Sequence, residues 1–174
     1  MRVLGIDPSM YYVGWANYNG PDPADLESRD YHNLDLNCWQ YGLIKPQGVS
    51  LVERWRDTVC KLECVITTPT DWLIAEWPMY FASTRGKIAA TKGHTLGLAG
   101  MVGHISCRFG TQVVLWTPNQ WKGSVPKSVT LGKFKRMFGK SGRAVANTAT
   151  DDTIDAIMLV ECFLDRWRRA HKDD

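Results

Sequence analysis

The chain has 174 residues, 44% of them hydrophobic and 22% charged, a composition that fits one domain with a buried core and excludes disorder and coiled coil. No apolar run approaches the roughly 20 residues of a membrane span. Residues 1–7 lack the apolar core and cleavage site of a signal peptide, so a cytoplasmic protein with no membrane partner is expected. The net charge of +3 conceals a segregation: residues 77–150 hold no Asp or Glu and eleven Lys or Arg, whereas the other 100 residues carry all 18 acids.

In chain order, Val3-Leu4-Gly5-Ile6 is a short apolar run stopped by Asp7-Pro8-Ser9, and it predicts a buried strand. Residues 11–16, aromatic and β-branched, predict a second strand after a tight connection. The acidic, proline-bearing stretch 20–36 predicts a surface excursion, and 38–44 a third strand of an antiparallel meander. From Ser50 the apolar period changes: Leu51, Val52, Trp55, Val59, Leu62 and Val65 mark an amphipathic helix. A fourth strand is expected at 71–76, a long small-residue helix at 85–107 and a fifth strand at 112–116. Further helices are expected at 127–138 and from Thr150 onward. This order predicts one α/β domain over 1–174: a five-stranded mixed sheet, three antiparallel strands first and then parallel additions, flanked by helices.

The cysteines Cys38, Cys60, Cys64, Cys107 and Cys162 form neither a CxxC pair nor a zinc spacing, which suits a reducing compartment. A basic stretch cleared of acids suits a polyanion, and nucleic acid is the expected partner. Arg85, Lys87, Lys92, Lys133, Lys135, Arg136, Lys140 and Arg143 are its candidate contacts; an ordinary solvated surface would intersperse acids among them.

Four acids fall where a sheet gathers side chains. Asp7 ends the first strand and Glu76 the fourth, while Asp152 and Asp155 are three apart and share a helical face. Each has a plain structural explanation: a turn for Asp7, helix capping for Asp151 and Asp152. Glu76 follows apolar residues in a strand, where an unpaired acid is costly. Converging carboxylates repel one another unless a cation lies between them, and magnesium or manganese suits such hard oxygen ligands.

Leu4-Gly5-Ile6-Asp7-Pro8-Ser9, Gly14, Ala75-Glu76 and Asp152-Thr153-Ile154-Asp155-Ala156 occur in this order over nearly the whole chain. Together they resemble the RuvC Holliday-junction resolvases of the RNase H-like superfamily. The opening LGIDPS is shared with sugar kinases and actin-like ATPases; the set D…E…D-x-x-D is far more specific. The resemblance implies an RNase H-like fold in which Asp7, Glu76, Asp152 and Asp155 bind two magnesium ions, manganese substituting. It further implies roles at the phosphate for Lys122, after Thr117-Pro118-Asn119-Gln120-Trp121, and for Lys127, although the spacing between these lysines is shorter here.

The implied activity is that of a crossover junction endodeoxyribonuclease in DNA recombination and repair, cutting four-way junctions by paired nicks that leave 5′-phosphates. Its setting would be a bacterial or phage-infected cell, and its assembly a homodimer through helix 85–107. Family members carry an aromatic wedge three residues after the Glu; here that position is Met79, followed by Tyr80 and Phe81. The alternative is an RNase H-like nuclease acting on flaps, replication forks or structured RNA. A kinase-like phosphotransferase needs a second domain, and a junction-binding protein without activity needs none of the four acids.

Overall fold

The first strand, β1 (Arg2–Pro8), pairs antiparallel with β2 (Val13–Asn19) and parallel with β4 (Trp72–Glu76). Such a central strand is buried on both faces, which is why its sequence is continuously apolar rather than alternating. With β3 (Trp39–Ile44) and β5 (Gln112–Trp116) the sheet order is β3-β2-β1-β4-β5, β3 antiparallel to β2 and β5 parallel to β4. This is the predicted mixed sheet. The computed structural model describes residues 1–9, 11–26, 36–79, 93–109, 112–123 and 125–172.

Strand alternation divides the core. Leu4, Ile6, Leu73 and Ala75 face one side, where α1 (Leu51–Val65) and α2 (His94–Phe109) pack through Val59, Leu62, Met101, Val102 and Ile105. Val3 and Ile74 face the other side, against Ile157, Val160 and Phe163 of the long helix α6 (Asp151–Ala170). Asp7 and Glu76 share the parity of Val3 and Ile74, so both carboxylates emerge on the α6 side. Between β5 and α6 the chain forms α3 (Pro118–Trp121), α4 (Lys127–Met137) and α5 (Gly139–Ala146).

Several boundaries differ from the expectations. Tyr11 and Tyr12 belong to the β1–β2 turn, not to β2, because the Ser9 hydroxyl and backbone close on Tyr12 at 2.8–3.1 Å. The predicted helix 85–107 does not run through Gly93, whose φ of +72° is outside helical geometry; α2 begins at His94, and 85–92 lie outside the described residues. Likewise the helix expected at 127–138 ends at Met137, and α5 follows from Gly139 at φ +53°. The small residues of α2 also serve this chain's own packing. A Cβ on Gly100 would meet the Trp55 ring of α1 at 2.5 Å, and one on Gly97 would meet Leu51 at 3.3 Å. Of the excursion 20–36, Pro23–Asp25 form a 3-10 turn capped by Asp22, which also accepts from Trp167 Nε1 at 3.0 Å; 27–35 lie outside the described residues. Among the described residues, no helix is long and apolar enough to cross a membrane.

Candidate active site

Ile6 pairs with Ala75 in the parallel register, so Asp7 and Glu76 leave the sheet side by side at its carboxyl edge. The N-terminus of α6 is brought over this edge by a glycine contact. Gly14, the register partner of Asp7, has no side chain, and a Cβ there would overlap the Asp152 carbonyl. Gly5 makes the same allowance for Val160 and for the Ala156 carbonyl. Thr150 caps α6 by accepting from the Thr153 amide, and Thr153 Oγ1 donates to the Gly42 carbonyl at 3.2 Å, tying the helix start to β3. Asp155 is buried and Asp152 half-buried on this first turn and a half of the helix.

Lys122 completes the group. The backbone of α3 is set by the Gln120 side-chain oxygen, which accepts from the Thr117 amide at 2.8 Å and from its hydroxyl at 3.0 Å. Beyond that turn, Lys122 Nζ donates to Asp155 Oδ2 at 2.9 Å and lies 3.3 Å from Glu76 Oε2. Trp121 Nε1 donates to the same Glu76 oxygen at 2.7 Å, and the Lys122 ammonium sits 4.5 Å from the Trp121 ring centroid. Burial, then the charges of Glu76 and Asp155, hold the Asp7 carboxyl well above the usual carboxylate range, Lys122 pulling the other way. For Lys122 itself burial favours loss of the proton, but the hydrogen bond to Asp155 and the Glu76 charge outweigh it and hold its pKa above the ordinary lysine value.

All-oxygen donors crowded at one edge form a set whose chemistry fits a hard divalent cation. Among the described residues, no three His, Cys, Asp or Glu side chains are gathered closely enough to cage a metal as they stand. The Lys122 ammonium bridges Glu76 and Asp155 and supplies countercharge there.

No protein-family model matches the sequence, and no curated protein matches it either. Solved structures do match. RuvC of Thermus thermophilus aligns over 98% of both chains with a TM-score of 0.65 at 16% identity. The same protein in complex with a Holliday junction substrate aligns over 98% of both chains with a TM-score of 0.63 at 14% identity. The fold of this chain is RuvC-like.

On this RuvC-like, RNase H-like scaffold the expected site residues separate into groups. Asp7, Glu76, Asp155 and Lys122 come together, and Asp152 is near enough for its charge to act on Asp7. Asp151 is exposed on the outer side of the same turn. Lys127 is the first residue of α4, its side chain lying outside the described set. Lys133, Lys135 and Arg136 are carried by α4, and Lys140 and Arg143 by α5; all but the half-buried Lys135 are exposed. Met79 is exposed just beyond Glu76, while Tyr80, Phe81, Arg85, Lys87 and Lys92 lie outside the described residues. Trp121 was not singled out from sequence as a site residue. Its place directly before the candidate lysine was the only sequence signal, and packing against the core alone would explain an aromatic residue there.

Proposed function

We propose that this chain is a magnesium-dependent, structure-selective endodeoxyribonuclease that resolves four-way DNA junctions by paired nicks leaving 5′-phosphates. The observation that carries the reading is the meeting of Asp7, Glu76, Asp155 and Lys122 at the carboxyl edge of a RuvC-like sheet. The structural neighbours, one solved with a Holliday junction substrate, support it. So does the acid-free segment 77–150, which supplies Lys122 together with α4 and α5.

Asp7, Glu76, Asp152 and Asp155 would hold two magnesium ions, for which manganese would substitute. When bound, such ions lower the pKa of an attacking water and stabilise the leaving 3′ oxygen. Asp7 and Glu76 are anchored on adjacent strands, so their carboxylates keep a fixed separation. Trp121 restrains one Glu76 oxygen, leaving the other to turn toward a ligand. Lys122, freed from the carboxylates when their charge is met otherwise, is placed to hold a phosphate oxygen and to offset charge building on it. Lys127 would add a second cation to the same phosphate path.

Symmetrical cutting of a junction needs two such sites related by a two-fold axis. The homodimer interface would lie along α2, where Leu96 is 79% exposed and Gly103 faces open space. Met79 or its neighbours Tyr80 and Phe81 would enter the crossover, where stacking is already weakened.

The decisive experiment is cleavage of a synthetic four-way junction with magnesium, mapped on all four strands beside a flap, a fork and a structured RNA. Paired, symmetrical nicks with 5′-phosphates on the junction are expected. Faster cutting of the flap, fork or RNA would assign the same chemistry to that substrate instead. Asp7→Asn and Glu76→Gln should each abolish cutting while junction binding persists, because a ligand charge is lost and little contact surface. Cutting at the unsubstituted rate by either variant would show that the site is misassigned.

A further inference from the structure

The turn that carries Lys122 has little of its own to hold it. Helix α3 is four residues long, none of them buried, and the chain leaves the helical path at Gly123, whose φ is +63°. The last carbonyls of α3 therefore have no following turn to bond. Two side chains of α6 bond them instead. Arg166 Nη2 donates to the Gln120 carbonyl, and Cys162 Sγ donates to the Trp121 carbonyl at 3.7 Å. Burial holds the Cys162 thiol above the ordinary cysteine value, so it keeps the proton it donates. The Arg166 guanidinium also lies over the Trp116 ring, 4.4 Å from its centroid, and Trp116 is the register partner of Glu76.

We propose that Arg166 is a positioning residue for Lys122, clamping α3 to the end of β5 and so fixing where the ammonium stands between Glu76 and Asp155. Its effect on cutting rests on the nuclease reading above. On α6, Asp155, Cys162 and Arg166 follow one another at helical spacing, so one face presents all three. The helix that supplies the acceptor for Lys122 thus also sets the height of the turn behind it. Gln120 is held at both ends, its side chain by the Thr117 amide and its carbonyl by Arg166. The geometry calls for arginine. A planar guanidinium can lay its face on an indole while an edge N–H reaches a carbonyl, whereas an ammonium is a point charge without that fork. Lys122 is only two residues beyond Gln120, and a misplacement of about an ångström is enough to cost rate.

Two measurements on the full chain test the proposal, using Arg166→Ala and Arg166→Lys. The Arg166 side chain is exposed, so neither change burdens the core. The first follows solvent exchange of the Trp121 indole N–H by NMR, without DNA or metal; its resonance is the one lost in Trp121→Phe. Both variants should exchange it about tenfold faster, because the turn opens from Glu76 more often. The second measures single-turnover cleavage of a four-way junction at saturating enzyme. Both variants should cut about tenfold more slowly at unchanged junction affinity. In a Lys122→Ala background, Arg166→Ala should cost nothing further, since the two act through one group. Unchanged Trp121 exchange overturns the clamp, as does unchanged cutting by a variant whose exchange has risen. Additive losses with Lys122→Ala overturn it too. A loss of affinity that Arg166→Lys restores overturns it by making Arg166 a phosphate contact. Faster exchange in both variants of a protein that cuts no branched substrate upholds the clamp and overturns the nuclease reading.

Discussion

Lys122 is shared between Asp155 and Glu76 at 2.9 and 3.3 Å, and that sharing sets what its removal should do. A buried acid cluster needs countercharge, but a lysine that works on developing charge should be missed in rate rather than in affinity. Lys122→Ala is therefore expected to lower the saturated single-turnover rate roughly a hundredfold, a few kcal/mol of transition-state stabilisation. Its junction affinity should change only a few-fold. Normal cutting at saturation with a displaced binding curve would make it an ordinary backbone contact. Trp121 acts one step further out, through the 2.7 Å hydrogen bond to Glu76. Trp121→Phe keeps an aromatic ring near the Lys122 ammonium and removes the N–H donor together with part of the indole's packing surface. Groups that orient ligands in this way typically cost about tenfold or more in metal affinity, so the magnesium concentration for half-maximal cutting should rise by that order. Manganese titration by calorimetry reads the same change without DNA. An unaltered metal requirement would reduce the indole to packing.

At the scale of elements, the site depends on how closely α6 can lie against the sheet. Gly14 permits the contact, since any side chain there would occupy the Asp152 carbonyl. Gly14→Ala should destabilise the fold by about 1–3 kcal/mol, the usual cost of overpacking, measurable by urea unfolding. It should also slow cutting in the remaining folded protein, because the helix that carries Asp152 and Asp155 must shift. Stability loss without any slowing would mean that the helix start tolerates displacement. The strands and most helices were legible because period and punctuation are local properties: apolar runs stopped by Pro8, Pro78 and Pro118, and an i, i+3, i+4 pattern from Leu51 onward. The start of α2 was not legible. A glycine inside an alanine-rich run reads as helix from propensity alone, and only the φ of Gly93 reveals a turn. The helix expected at 127–138 does stop just before Gly139, and what the sequence did not show is the further helix α5 beyond that glycine.

Over the whole molecule, charge segregation should appear as salt dependence. Lys135 and Arg136 on α4 and Lys140 on α5 lie in the stretch without acids. Junction affinity should fall with salt by a log–log slope of about −0.9 for each phosphate neutralised, and the triple alanine variant should flatten that slope by up to about 2.7. An unchanged slope would place these charges away from the DNA. Much of this was determined by the sequence itself: where most of the strands lie, which acids fall at strand ends and on the first turns of the last helix, and where basic charge accumulates. These depend on residue type and short-range spacing, and the order of D…E…D-x-x-D survives in the chain as written. Which side chains touch was decided only in three dimensions. Lys122 meets an aspartate 33 positions away, and Trp121 a glutamate 45 positions away. Neither pair has a local pattern, because each is created when parallel strands set their carboxyl ends together and a side-chain-free Gly14 lets α6 close over them.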